Sequence, residues 1–177
     1  MKVLLAVGAL AAAAAAGPAV TDAAAPKPVH GPSAAQIRAA VRRAQRSRNL
    51  WATINICNTK RYRDVIGIRG QMPALGFETN LSMEIQVDYW NIAQKKFVPD
   101  PGVKLPVALG RATNGLHQGG VSFRFHPPAD LSGQISFTWK LAGKVIGHAH
   151  RTTHGGLKHV AFGDPPGHSA TTCRINS

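Results

Sequence analysis

Hydrophobic and polar residues alternate along much of the chain after residue 50. The clearest run, LSMEIQVDYW (81–90), predicts a strand with Tyr89 on its buried face and Asp88 and Trp90 on its solvated face. LWATINIC, VIGIRGQM, VSFRF and QISFTWKL are interpreted as further strands, separated by glycine and proline clusters such as VPDPGV and HPPADLSG. This spacing is typical of an antiparallel sandwich or barrel. We expect an all-β sandwich of seven or eight strands with Trp139 in its core.

A helical period precedes the strands. Residues 34–49, AAQIRAAVRRAQRSRN, place small apolar residues on one narrow stripe and arginines on the other side, which predicts a short amphipathic helix. Ser33 and Gln36 have the spacing of a capping box. The candidate polyanion-binding residues of this helix are Arg38, Arg42, Arg43 and Arg46. Two interpretations stay open: a helix lying on the domain with solvated arginines, or a cationic arm that sits on an anionic surface.

The first 25 residues have the pattern of a secretory signal peptide, in which Lys2 precedes an apolar run and small residues follow. The run is too short and alanine-rich for a good membrane span, which needs about 20 strongly apolar residues. An uncleaved anchor is the alternative. We expect cleavage within residues 19–25 and no transmembrane span after processing. The predicted organisation is a signal peptide (1–25), a proline-rich linker with the basic helix (26–49) and the sandwich (50–177).

Export determines how the two cysteines, Cys57 and Cys173, are interpreted. Two cysteines are too few for a miniprotein built on disulfides, and they lack the paired spacing of a zinc site. In an oxidising compartment the simplest expectation is one disulfide that joins an early strand to the last one. Two free thiols or an intermolecular bridge are the alternative.

The chain is strongly basic, with 21 lysines and arginines against 8 aspartates and glutamates and a net charge of +13. Such a field attracts polyanions, which include wall polymers, acidic polysaccharides, lipid headgroups and nucleic acids. A GC-rich genome, which favours arginine and alanine codons, would produce the same charge without any anionic partner.

Several runs carry a resemblance to known proteins. The run FTWKLAGKVIGHAHRTT resembles the strand–turn–strand of bacterial immunoglobulin-like domains, with a core tryptophan, a short turn ending in glycine and a basic return strand. Residues 51–57, 66–70 and 164–173 are similar to runs that occur together in uncharacterised secreted proteins of high-GC actinobacteria. This resemblance covers most of residues 47–175. It implies an immunoglobulin-like fold and export, and it implies no activity.

Four of the eight histidines lie in HAHRTTHGGLKH (148–159). His148 and His150 are two residues apart on a predicted strand and could form a bidentate pair for zinc or copper, with His154 as a third weak candidate. A two-residue turn at positions 142 and 143, which turn chemistry favours, would put His148 on the core face. A three-residue loop would put both strand histidines in solvent. Because the neighbouring residues are basic and no carboxylate lies close in the sequence to orient a histidine ligand, no metal or cofactor is expected.

One feature of the outer face suits partner binding. Trp90 lies opposite the core alternation, ahead of Lys95 and Lys96, where an exposed tryptophan could stack on a sugar or anchor a partner. Packing under the hairpin is the alternative. No Gly-x-Ser-x-Gly elbow is present. Glu84 and Asp88 would lie about 13 Å apart on one strand, which does not make a glycosidase pair, so no catalytic residue is predicted.

These features together predict an exported, non-enzymatic binding or interaction module of the cell envelope. Its expected partner is an anionic envelope polymer or a protein, with no specific nucleic-acid ligand. The alternatives are a secreted metal-binding protein that uses residues 148–159 and a secreted enzyme with an unrecognised site.

Overall fold

The computed structural model describes residues 31–176, in which one helix and eight strands make up most of the chain. The elements are α1 Ala34–Gln45, β1 Trp51–Cys57, β2 Val65–Pro73, β3 Thr79–Asn91, β4 Lys96–Ala112, β5 Leu116–Arg124, β6 Ala129–Leu141, β7 Lys144–Thr152 and β8 Cys173–Ile175. The predicted signal peptide and the linker up to residue 30 lie outside the described residues. In the described part, no helix is long and apolar enough to span a membrane.

The strand order defines the fold. One antiparallel sheet has the order β1-β2-β5 and the other the order β4-β3-β6-β7, and β8 pairs with the start of β6. The second strand therefore pairs with the fifth and the third with the sixth, which are the Greek-key pairings of immunoglobulin sandwiches. The predicted immunoglobulin-like antiparallel sandwich with a short basic helix is confirmed.

The core lies between the two sheets and follows the alternation of β3 and β6. Leu81 and Val87 of β3 and Phe137 and Trp139 of β6 are at most 2% exposed. The indole Nε1 of Trp139 donates a hydrogen bond to the carbonyl oxygen of Pro73 at 2.9 Å, so its one polar atom is satisfied inside the core. The prediction of a core tryptophan at this position is confirmed.

β1 is buried along almost its whole length because residues 153–172 run along its free edge. The backbone of Ile54 exchanges two hydrogen bonds of 3.0 Å with Ala170. The side chain of Asn55 donates to the carbonyl oxygen of Phe162 at 2.8 Å. Covering an edge in this way removes a row of unpaired backbone groups.

The predicted disulfide is present and joins Cys57 at the end of β1 to Cys173 at the start of β8. The two Cα atoms are 5.4 Å apart, and the residues are 116 positions apart in sequence. The bridge therefore ties the first strand to the last one, as expected.

α1 begins at the predicted capping box. The backbone N–H of Gln36 donates to Ser33 Oγ at 3.3 Å, and the backbone N–H of Ser33 donates to Gln36 Oε1 at 2.7 Å. The helix ends at Gln45, four residues earlier than the sequence pattern suggests, because Ser47 donates to the carbonyl of Ala44 and tightens the last turn. The chain can then turn into β1.

The β6–β7 hairpin has the predicted two-residue turn, and residues 142 and 143 have φ angles of 47° and 79°. The register shifts just after the turn, because β7 contains one extra residue in a bulge. Beyond the bulge, His148 pairs with Thr138 and His150 with Ser136. The expectation that this turn would place His148 on the core face is wrong, since both histidines are exposed on the outer face.

The bulge places Gly147 under α1. A Cβ atom on Gly147 would lie 2.6 Å from Cγ1 of Val41, so a residue without a side chain is needed for the helix to approach this closely. The side chain of Gln45 donates to the carbonyl oxygen of His148 at 2.6 Å, and Arg151 Nη2 donates to the carbonyl oxygen of Gln45 at 2.5 Å. The helix is therefore docked on β7 rather than held away from the domain.

Candidate binding surfaces

The solvent side of α1 and the three residues that follow it form an arginine surface. Its members are all exposed, and they are Arg38, Arg42, Arg43, Arg46 and Arg48. Within residues 31–176, the ion pairs are Lys104–Glu84, Arg111–Glu78 and Arg174–Asp130, and none of them involves this surface. The four arginines that the sequence singled out are thus brought together without an acidic partner in the described part of the chain.

Helical spacing aligns three residues of the arginine surface along the helix. Arg38, Arg42 and Arg46 are four residues apart and form one row about 12 Å long. Arg42, Arg43 and Arg46 border a shallow recess of about 230 Å³. Like charges four residues apart repel one another by a few tenths of a kcal/mol per pair. A bound anion would relieve this repulsion.

A second feature is an aromatic cleft of about 410 Å³ near the end of β3. The residues that matter most in its lining are Tyr89, Trp90, Ile92, Pro128, Asp130 and Arg174. Tyr89 and Trp90 are each 40% exposed. The prediction that Tyr89 belongs to the buried face is wrong, because the core ends at Val87 and the strand continues to the rim of the sandwich.

Of the three residues that the sequence grouped for partner binding, only the tryptophan lines the aromatic cleft. Trp90 lines it, and its ring meets Phe97 edge to face, with centroids 5.2 Å apart and planes at 69°. Lys95 ends the β3–β4 turn and Lys96 begins β4; both are exposed, and neither belongs to the cleft lining. Trp90 shares the cleft with Arg174 instead.

The polar part of the aromatic cleft is an ion pair that sequence reasoning missed. Arg174 Nε and Nη2 donate to the two carboxylate oxygens of Asp130 at 2.6 and 3.3 Å. The hydrogen bond to Asp130 raises the pKa of Arg174, so the guanidinium stays charged. The two residues face each other because β8 pairs with the start of β6. A three-residue strand leaves no alternation in the sequence that could have predicted this pairing.

The histidines of β7 belong to a hydrogen-bonded row on the outer face. His150 Nε2 lies 2.7 Å from Gln134 Oε1, and His150 Nδ1 lies 2.9 Å from Ser136 Oγ. Gln134 Nε2 donates in turn to Asp88 Oδ1 at 2.8 Å. Because the amide oxygen accepts from His150 Nε2, the neutral ring has Nδ1 free to accept from the hydroxyl. These contacts orient His150 towards neighbouring side chains.

The weak metal candidates are not assembled into a site of three ligands. His148 Nδ1 contacts Thr138 Oγ1 at 3.3 Å, and His154 Nδ1 lies 3.3 Å from the carbonyl oxygen of Gly155. Within residues 31–176, no group of three or more histidine, cysteine, aspartate or glutamate side chains is placed to hold a metal ion.

Asp88 departs from the sequence pattern, which put it on the solvated face. It is 6% exposed, at a point where β4 leaves regular register with β3. Burial raises the pKa of its carboxyl, and the hydrogen bond from Gln134 and the positive charge that His150 carries when protonated offset only part of this rise. A carboxyl with a raised pKa binds protons more tightly in the folded state than in the unfolded state, so its ionised form costs stability near neutral pH.

We therefore expect Asp88→Asn to raise the thermal midpoint at pH 7, because asparagine keeps the acceptor for Gln134 without the buried charge. The gain should disappear at about pH 3, where the carboxyl is protonated in both states. Thermal unfolding at both pH values measures this. Glu84→Gln is the matched control, since Glu84 is paired with Lys104 at 2.8 Å and half exposed. A lower midpoint for Asp88→Asn at pH 7 would contradict the prediction.

No known family profile and no curated protein matches this chain. A glycosyl hydrolase family 2 member from Bacteroides cellulosilyticus DSM 14838 aligns with 66% of the chain, at a TM-score of 0.36 and 12% identity. A putative beta-galactosidase from Bacteroides fragilis aligns with 62% of it, at a TM-score of 0.31 and 9% identity. The chain spans 16% and 17% of those two proteins. The immunoglobulin-like assignment therefore rests on the strand order of this chain itself.

Proposed function

We propose that this protein is an exported, non-enzymatic binding module of the cell envelope that holds an anionic polymer on the arginine surface of α1. The observation that carries the proposal is the row of Arg38, Arg42 and Arg46. These side chains lie on a docked helix, and no acidic side chain of the described residues pairs with them.

The form of the arginine surface favours a polymer over a small anion. Its row extends about 12 Å, so it can contact several charges of one chain at once. Each contact releases counterions from a polyanion, and the released ions make binding favourable at low salt. The packing of Val41 against Gly147 supports the backbone that carries the row, so less ordering is needed when a polymer binds.

Two further features support export to the envelope. The first 25 residues have the pattern of a signal peptide, and disulfides such as Cys57–Cys173 form and persist mainly in oxidising compartments. The resemblance to secreted actinobacterial proteins suggests actinobacterial cell wall as the first binding partner to test.

The test is cosedimentation of the mature protein with purified actinobacterial cell wall over a range of salt concentrations. The variant replaces Arg42, Arg43 and Arg46 with glutamine, which is also a good helix former. One basic residue near an anionic surface contributes about fivefold in affinity, so loss of three should weaken binding roughly 100-fold at low salt. The wild-type affinity should fall steeply as salt rises.

A matched control removes the same charge elsewhere. Lys60, Arg61 and Arg63 are exposed in the β1–β2 loop, which the length of β1 separates from α1 by about 20 Å. Their replacement with glutamine should leave most of the binding intact. Equal losses in the two variants would show that net charge alone drives binding. No binding of the wild type at low salt would overturn the proposed function.

A further inference from the structure

The aromatic cleft exposes the one accessible tryptophan of the described chain. Trp51 is 4% exposed and Trp139 is fully buried, whereas Trp90 is 40% exposed beside the equally exposed Tyr89. Two large aromatic side chains at the rim of one recess leave apolar ring surface in contact with water. A ligand with a flat apolar face would bury that surface.

Trp90 is held in a defined orientation. It pairs with Phe97 across the β3–β4 hairpin, and the rings meet edge to face with centroids 5.2 Å apart. Contacts of this geometry add stability beyond burial, so the indole is supported before any ligand arrives. A pre-organised ring loses little conformational entropy on binding.

The aromatic cleft also offers donors and acceptors together. The pair with Asp130 uses two of the five N–H donors of Arg174, and the carboxylate keeps lone pairs for further bonds. Side-chain exposures of 70% for Arg174 and 40% for Asp130 leave both groups accessible to a ligand. Because their charges cancel, this ion pair favours hydroxyl groups over a charged ligand.

The size of the aromatic cleft indicates the kind of ligand. A volume of about 410 Å³ lies in the range of small-molecule sites, about 300–1,000 Å³. A stable protein interface needs about 800 Å² on each partner, which is far more surface than a recess of this size provides. A pyranose ring combines a flat face of C–H groups with a rim of adjacent hydroxyls. That combination matches an aromatic ring and a carboxylate–guanidinium pair that line the same cleft.

We propose that the aromatic cleft binds one pyranose unit of a neutral oligosaccharide. The sugar stacks on Trp90, and its adjacent hydroxyls bond to Asp130 and Arg174. The site lies apart from the arginine surface of α1 and takes an uncharged ligand, so it is a second binding function and not a part of the first.

The experiment titrates the mature protein with cellotetraose, chitotetraose and maltotetraose to about 10 mM, a range in which a Kd of about 1 mM is still measured. Calorimetry gives the affinity. Tryptophan fluorescence locates the ligand, because Trp51 and Trp139 are buried and Trp90 is not. We expect at least one tetrasaccharide to bind and to change the emission of Trp90.

Two variants test the aromatic and the polar parts of the aromatic cleft. Trp90→Ala should weaken binding at least tenfold. Arg174→Lys keeps the charge but cannot form the same two-pronged bond with Asp130, and it should weaken binding several-fold while the fold is retained. The glutamine variant of Arg42, Arg43 and Arg46 should bind the sugar as the wild type does. This result separates the present proposal from the proposed function.

Three outcomes would overturn the inference: no binding of any of the three sugars, binding that Trp90→Ala leaves unchanged, or binding lost in the arginine variant of α1. If the wild type bound a sugar but did not bind cell wall at low salt, the proposed function alone would be overturned.

Discussion

Replacement of Cys57 and Cys173 by alanine is expected to lower the free energy of unfolding by about 5 kcal/mol. The bridge closes a loop of 116 residues, and without it the unfolded chain gains the entropy of a long open loop. The folded state also depends on this bridge locally. β8 has three residues and pairs with β6 alone, so few other contacts hold its end in place. Urea unfolding measured by circular dichroism gives the difference directly.

Reduced wild-type protein is the control for the disulfide, because it lacks the covalent bond but keeps both sulfur atoms, of which only that of Cys173 belongs to the core. Its stability should fall almost as far as that of the double variant. The remaining difference reports the small cavity left beside Cys173, which is 2% exposed. If the free energy of unfolding fell by less than about 1 kcal/mol in both the double variant and the reduced wild type, residues 153–172 along the edge of β1 would be sufficient to hold the sandwich together without the disulfide.

Trp139→Ala is expected to cost about 3–5 kcal/mol, which is the second large effect. Trp139 has no exposed surface, pairs with Leu81 on β3 and donates to the carbonyl oxygen of Pro73. Alanine removes the whole ring from between the sheets and leaves a cavity. The midpoint of urea unfolding should fall accordingly.

Trp139→Phe separates packing from hydrogen bonding at the same position. It keeps an aromatic ring but leaves the carbonyl of Pro73 without its indole donor, which should cost about 1–3 kcal/mol. If Trp139→Ala and Trp139→Phe were equally unstable, the hydrogen bond rather than the packed volume would account for the loss. The fluorescence emission of the exposed Trp90 should be unchanged in the folded phenylalanine variant. An unchanged emission would indicate that the sandwich is intact.

Much of the architecture was predictable because it depends on local patterns. Alternation in β3 and β6 predicted which of their central residues face the core, and the capping box at Ser33 predicted where α1 begins. Positive φ angles at residues 142 and 143 agree with the predicted turn. In each case neighbouring residues in the sequence determine the outcome, since period, cap and turn are properties of short segments.

The errors arose where the burial or exposure of a side chain depends on a segment that is distant in the chain. His148 faces outward because a bulge in β7 puts Gly147 under α1, and no feature of the hairpin itself predicts that helix. Asp88 is buried at the point where β4 departs from register with β3. Tyr89 is exposed because the hydrophobic core of β3 ends two residues before it, at Val87.

The candidate binding surfaces divide in the same way. The arginine surface was visible in the sequence, because a helical period alone places Arg38, Arg42 and Arg46 in one row. Its docking on β7 was not visible. The aromatic cleft needed the tertiary structure, since only the pairing of β8 with β6 brings Arg174 beside Asp130 near Trp90.

By itself the sequence determined the all-β class, the helix with its arginines and the two cysteines available to pair, and it favoured a two-residue turn over a three-residue loop. The tertiary structure alone decided the register of β7, the burial of Asp88 and the partners of Trp90. The physical reason is that a pattern of apolar and polar residues states which side chains share a face. What lies opposite that face depends on strand pairing and packing between distant segments, which no short run of residues contains.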